Sequence, residues 1–210
     1  MQKNKQRYAE AESAARLDLD ALMEKAALGN PHAQYEFARR LASGIGVEAD
    51  EPSAGVWCRK AAEQGLADAA YTLGLMLREG AEEMTGAEAK RQREEAAQWL
   101  AKGAEGGRID AVIACATVFD ELGRPQEALR WYERARELGD KRADLLIGQI
   151  HMRAERWGQA RACFERAAAT GDVACCLCAG IVMSRGPAQM RDKARAAAHL
   201  AKAAEQGSSE

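Results

Sequence analysis

The chain has 210 residues, thirty basic against thirty-two acidic and a net charge of −2, so it carries no field that would hold nucleic acid or an anionic membrane against its whole surface. A hydrophobic share of 47% with only 5% aromatics, much of it alanine, suits many thin helix contacts better than one thick core, and the scarcity of Val, Ile and Thr argues against sheets. The six cysteines do not recur as a pair in each segment, which reads as reduced, mostly buried thiols and not as a disulfide framework.

From the amino end, MQKNKQRYAEAESAARLDLD has a basic start but no apolar stretch of signal-peptide type, and no later window is long enough to cross a bilayer. With Met1 as the start, this predicts a cytoplasmic protein. Residues 9–28, with Leu17, Leu19, Leu22, Met23 and Ala26, predict a capping helix within an amino-terminal cap of residues 1–29.

Thereafter a glycine recurs at Gly29, Gly65, Gly107, Gly139, Gly171 and Gly207, at spacings of 36, 42, 32, 32 and 36 residues. Eleven residues before the last five stand Ala54, Ala96, Ala128, Ala160 and Ala196, and eight before them Trp57, Trp99, Trp131, Cys163 and His199. Four residues after the first five come Ala33, Ala69, Ala111, Ala143 and Cys175, and nine after come Ala38, Gly74, Ala116, Gly148 and Gly180. Invariably small slots beside large ones are what close-packed helix pairs require. Each interval holds two segments of helical periodicity: helix A begins after the glycine, as at Asn30-Pro31, and helix B ends at the next glycine, which takes the left-handed turn. The predicted fold is therefore all-α, an α/α superhelical solenoid of about five helix-turn-helix repeats, 30–65, 66–107, 108–139, 140–171 and 172–207, followed by a tail of 208–210. The connection from A to B differs between repeats. Ser43 to Asp50 predicts a glycine-containing loop and Leu122-Gly123-Arg124-Pro125 a tight turn, while the helix formers in AEAKRQREEAAQWL predict an early start for the second helix B.

The run AQYEFARRLASGIGVEADEPSAGVWCRKAAEQG, from Ala33 to Gly65, resembles the Sel-one-like repeat, a relative of the tetratricopeptide repeat, through Gly44, Gly46, Val47, Asp50, Ala54, Trp57 and the Ala61-Ala62 to Gly65 ending. The second repeat keeps Leu73-Gly74 and Trp99-Leu100, the third and fourth look more like tetratricopeptide units, and the last keeps LAKAAEQG. The resemblance implies a non-enzymatic protein-protein interaction module, an adaptor, regulator or toxin-neutralising protein, that binds a peptide or protein domain on the concave face of the A helices. By the tetratricopeptide pattern, slots six and ten after each glycine face that groove. The predicted binding residues are Tyr35, Arg39, Tyr71, Leu75, Ile113, Thr117, Leu145 and Gln149; Leu177 and Ile181 hold the same slots in the last repeat. The competing reading of the plus-six residues is packing between neighbouring A helices.

Other candidates dissolve into the repeat frame. Trp57, Trp99 and Trp131 share one slot and read as packing knobs, not as a stacking ladder, whereas Trp157, outside that slot and near Arg153 and Arg156, is a candidate outer contact. Cys175-Cys176-Leu177-Cys178 lacks the separated pairs of a zinc site, and no Cys–His pair or phosphate-binding loop stands out, so no metal, cofactor or catalytic residue is predicted. Lys90, Arg91 and Arg93 followed by Glu94 and Glu95 read as an exposed helix with intrahelical pairs, and Arg185, Arg191, Lys193 and Arg195 as a thin basic patch. Cysteine-rich relatives linked to β-lactam binding or hydrolysis supply the alternative, an enzyme, but this chain lacks their regular cysteine pairs and any Ser-x-x-Lys motif. Self-association through an exposed terminal repeat is a further expectation.

Overall fold

A computed structural model describes residues 18–169, 173–187 and 191–207. Gly171, Asp172 and the part of the predicted capping helix before residue 18 lie outside the described residues. Every regular element among them is an α-helix: α1 (18–27), α2 (Pro31–Ser43), α3 (Glu51–Glu63), α4 (Ala67–Gly80), α5 (Gly86–Glu105), α6 (Ile109–Glu121), α7 (Pro125–Glu137), α8 (Ala143–Arg153), α9 (Trp157–Ala168), α10 (Val173–Arg185) and α11 (Lys193–Gly207). The fold is the expected stack of helix pairs. The chain divides into two compact units, Met1–Val118 and Phe119–Glu210.

The glycine period has one local cause. Gly29, Gly65, Gly107 and Gly139 have φ of 93°, 88°, 93° and 84°. Around each, two backbone bonds close a Schellman turn, for example Gly29 N to Ala26 O at 3.0 Å and Asn30 N to Lys25 O at 3.1 Å. The Gly139 turn repeats it, from Gly139 N to Arg136 O and from Asp140 N to Ala135 O, both at 2.9 Å. A Cβ in that left-handed conformation is costly, so the residue that reverses the chain from helix B to helix A is glycine. Helix starts are capped as the residues suggest. Asn30 accepts from Ala33 N at 2.9 Å with Pro31 at the first turn, and Asp50 accepts from Ser53 N at 3.0 Å ahead of α3. Helix α5 does start early, at Gly86, and runs 20 residues.

In unit 1, α2 packs on α3, α3 on α4 and α4 on α5; in unit 2, α7 packs on α8, α8 on α9, α9 on α10 and α10 on α11. All five minus-eleven alanines are buried, Ala96, Ala128 and Ala160 completely. The plus-nine slot is small because a large side chain of the partner helix lies on it. An added Cβ on Gly74 would stand 2.6 Å from Leu100 Cγ, and one on Gly148 2.6 Å from Phe164 Cε1. The same relation joins Gly180 to Leu200, at 2.7 Å. The partner residues share a slot one position after the tryptophan slot, large at Leu100, Tyr132, Phe164 and Leu200 but small at Cys58. Of the capping helix, Leu19 and Ala26 are buried, but Met23 is exposed.

Candidate functional site

The A-helix face of unit 1 is built from α2, α4 and α6. Tyr35 and Tyr71 both bridge to the next A-helix segment, as the packing reading of the plus-six slot requires. Tyr35 Oη lies 3.0 Å from Thr72 Oγ1 of α4, and the Arg108 guanidinium, just before α6, stacks 4.6 Å above the Tyr71 ring. Arg108 also bonds Asp68 and lies 3.8 Å from Asp110; the Asp68 carboxylate holds its pKa above the ordinary arginine value. Leu75, Ile113 and Thr117 are half-buried, and Thr117 Oγ1 donates to Ile113 O at 3.0 Å, a helix-internal bond. Arg39 is different: its side chain is 62% exposed and, among the described residues, its guanidinium reaches only Glu36, at 3.1 Å.

Tyr35 and Arg39 meet at a cavity of about 450 Å³ between the carboxyl-terminal half of α2 and α4, with Ala54 and Cys58 of α3 in its wall. Thr72 and Met76 line it from α4, and Ile45 from the loop after α2. Of the eight predicted binding residues only Tyr35 and Arg39 line this cavity; Tyr71, Leu75, Ile113 and Thr117 do not. Leu145 and Gln149 belong to unit 2, where Leu145 packs partly buried against the core around Phe164 and Gln149 is half-buried. Leu177 and Ile181, at the same two slots of α10, are exposed at 42% each.

Electrostatics around the cavity are closely paired. Arg40 Nη2 lies 2.7 Å from Asp18 and its Nε 3.4 Å from Glu36, and the Asp18 bond raises its pKa. Glu36 therefore touches two arginines. Cys58 donates its thiol to Ala69 O at 3.2 Å, and burial pushes its pKa to about 11, so it is neither thiolate nor nucleophile at neutral pH. All six cysteines are free and five are buried, in line with the reading of packing thiols. No group of His, Cys, Asp and Glu able to hold a metal ion occurs among the described residues.

The tryptophan slot is closed. Lys60 Nζ sits 4.0 Å above Trp57, Lys102 Nζ 3.9 Å above Trp99 and the Arg134 guanidinium 5.5 Å above Trp131, each from three residues on along its helix. The same offset pairs Arg166 Nη2 with Cys163 Sγ at 3.2 Å. A base stands five residues before each of the last five glycines, Lys60, Lys102, Arg134, Arg166 and Lys202, a periodic signal present in the sequence and easily missed because Lys and Arg alternate. Trp157, the candidate outer contact, is partly buried and packs against the unit 2 core. Nor is Glu95 engaged only along its own helix. It pairs with Arg59 of α3 at 2.6 Å, which holds its pKa below the usual carboxylate value. In the carboxyl-terminal basic patch, Arg191 Nε donates to Gly186 O at 2.8 Å and Arg195 lies 3.5 Å from both Glu165 and Asp192.

The Sel1 repeat family profile matches residues 31–66, 67–107, 124–140, 158–172 and 173–208. Among solved structures, a Sel1 repeat protein from Oxalobacter formigenes is 29% identical with a TM-score of 0.64, over 95% of this chain and 82% of that one. The protective antigen c5321 of uropathogenic Escherichia coli, described as displaying an SLR fold, is also 29% identical with a TM-score of 0.64, over 91% of this chain. This chain spans 42% of the length of that antigen. YrrB, described as a tetratricopeptide protein with an unusual peptide-binding site, is similar in fold at 22% identity, with a TM-score of 0.62 over 89% of this chain and 90% of that one. No curated protein sequence matches. No described helix is long and apolar enough to cross a membrane.

Proposed function

We propose that this chain, which belongs to the Sel1 repeat family, is a binding module that holds a peptide segment or protein domain of a partner on the A-helix face of its first unit. Such repeat folds generally mediate protein-protein interaction, and adaptor, regulator or neutraliser of a toxin are the roles the module would serve. The observation that carries the reading is the cavity of about 450 Å³ where Tyr35 and Arg39 meet, a size within the range that holds a small group or side chain, with an exposed guanidinium at its rim. A tyrosine and an exposed arginine side by side are residue types enriched at interface hot spots. YrrB, similar in fold, has a peptide-binding site, which favours the same reading. We read the action as binding: the cavity's one thiol is held protonated by burial, its Tyr35 and Thr72 hydroxyls bond each other, and Ser43 donates to Arg39 O.

The test is capture of a partner from the native host by the wild-type chain and by Tyr35→Ala/Arg39→Asp. Loss of capture by about tenfold or more, with an unchanged helical circular dichroism spectrum, is the expected result. Undiminished capture by the double variant removes the site.

A further inference from the structure

Two cavities of unit 1 share one side chain. The cavity between α2 and α4 and a second, of about 480 Å³ against a different face of α3 formed by Pro52, Gly55 and Val56, both reach Met76. Met76 is partly buried against the packing around Phe37 and Ala54, and its methyl carbon lies 3.8 Å from where a Cβ would stand on Gly55. Methionine is unbranched and turns about three bonds at little cost. Beside it, a glycine in mid-helix leaves a space that any other residue would narrow.

The rim of the first cavity indicates what accompanies an entering side chain. Among the described residues Arg39 holds only Glu36, and Glu36 keeps Arg40 at 3.4 Å if Arg39 turns away, so Arg39 can be recruited by an incoming carboxylate without leaving an unpaired acid. Tyr35 and Thr72 already bond each other, so an apolar group entering beside them strands no polar atom.

Resting on the reading of this cavity as the partner site, we propose that Met76 is a movable wall that sets ligand size. The occupant is a peptide with one large apolar side chain beside an acidic residue: the apolar group enters as Met76 withdraws toward Gly55, and the acid pairs with Arg39. Met76 and Gly55 are then specificity-determining positions, although neither carries charge or chemistry.

The peptides Ac-Gly-Xaa-Asp-Gly-NH2, with Val, Leu, Phe or Trp at Xaa, titrated into the full chain carrying 13C-methyl methionine, provide the test. The Met76 methyl resonance is identified by its disappearance in Met76→Leu. Affinity is expected to rise about tenfold from Val to the aromatic peptides as added apolar surface is buried, with the Met76 resonance shifting in step. In Gly55→Leu, which fills the retreat, and in Met76→Ile, which stiffens the wall, that advantage falls to about twofold or less. Replacing the peptide's Asp by Asn, or Arg39→Gln, weakens every peptide by a common factor. Met76→Ile also serves if Gly55→Leu does not fold. A size preference retained in the variants, or binding that leaves the Met76 methyl unmoved, overturns the movable wall but leaves the binding site standing. Binding by none of the peptides overturns both.

Discussion

The two units build the same helix pair and close it differently. In Met1–Val118 the first pair turns through a loop with left-handed Gly44 and Gly46, at φ 69° and 73°, and the slot after its tryptophan holds only Cys58. In Phe119–Glu210 the pair α8–α9 turns in a few residues, and that slot holds Phe164, fully buried over Gly148. The cavity follows from this difference: Ala38 and Cys58 wall it at the two places where α8 and α9 bring Gly148 against the Phe164 ring. A small residue in one slot leaves space for a partner, and a large one fills that space to stabilise the fold.

The largest effect that would break the comparison is at Phe164. Phe164→Cys, which gives unit 2 the residue of unit 1, is expected to cost about 3–4 kcal/mol in denaturant unfolding, since a fully buried ring is removed from a packed cluster. Gly148→Ala should cost about 1–3 kcal/mol, because the new Cβ would stand 2.6 Å from an aromatic carbon with little freedom to move. The two penalties should not add, since the smaller side chain at 164 makes room for the methyl; strict additivity would show that the pair is not in contact. The reverse exchange, Cys58→Leu, should change stability by less than about 1 kcal/mol, as the side chain grows into existing space. It should nonetheless abolish peptide capture.

A smaller effect sharpens the contrast in turns. Glu155 has φ 55° and closes α8 with the same bonds that Gly123 makes in the preceding repeat: Glu155 N to Met152 O at 3.0 Å and Arg156 N to His151 O at 2.9 Å. Glu155→Gly should raise stability by about 0.5–1 kcal/mol, read as a higher unfolding midpoint with an unchanged denaturant slope. A loss would mean that the carboxylate makes an interaction worth more than the backbone strain.

How far the chain could be read without coordinates divides along the same line. Helix number, the inter-repeat turns and the buried alanines were legible because each is dictated by a residue type at a fixed offset, as at Ala96 and Gly107. The early start of α5 was legible in its helix formers. Less legible was anything created by pairs of helices. That Cys58 stands where other repeats place Leu100 or Phe164 is visible only once the slot is aligned, and its consequence, a cavity, depends on what lies across it. Tyr35 and Arg39 occupied equivalent positions to Tyr71 and Leu75 in the repeat frame, yet only the first two line the cavity: in the second repeat Leu100 lies over Gly74, where the first repeat has Cys58 and Ala38. Arg59 reaching Glu95 and the lysines lying over Trp57 and Trp99 are likewise choices among rotamers that spacing alone does not make.

The smallest effect separates the units by pH. His32, the one histidine of unit 1, is exposed, whereas His151 in unit 2 is half-buried and its buried Nδ1 has no hydrogen-bond partner among the described residues. Burial lowers its pKa below the usual histidine value, Arg156 lowers it further, and Glu133 opposes them weakly. A proton therefore binds the unfolded chain more readily than the folded one, so the contribution of His151 to stability is complete above about pH 6.5 and is lost as pH falls through that value, levelling off below the folded pKa. The paired carboxylates, Glu95 in unit 1 and Asp140 in unit 2, have lowered pKa values and lose their contribution only at more acid pH, below the ordinary carboxylate range, so they do not overlap this window. Hydrogen exchange between pH 8 and 5.5, corrected for its intrinsic pH dependence, should show protection falling in α8 and α9 while α2 to α4 hold, and His151→Gln should flatten the fall. Equal loss in both units would place the titrating group elsewhere.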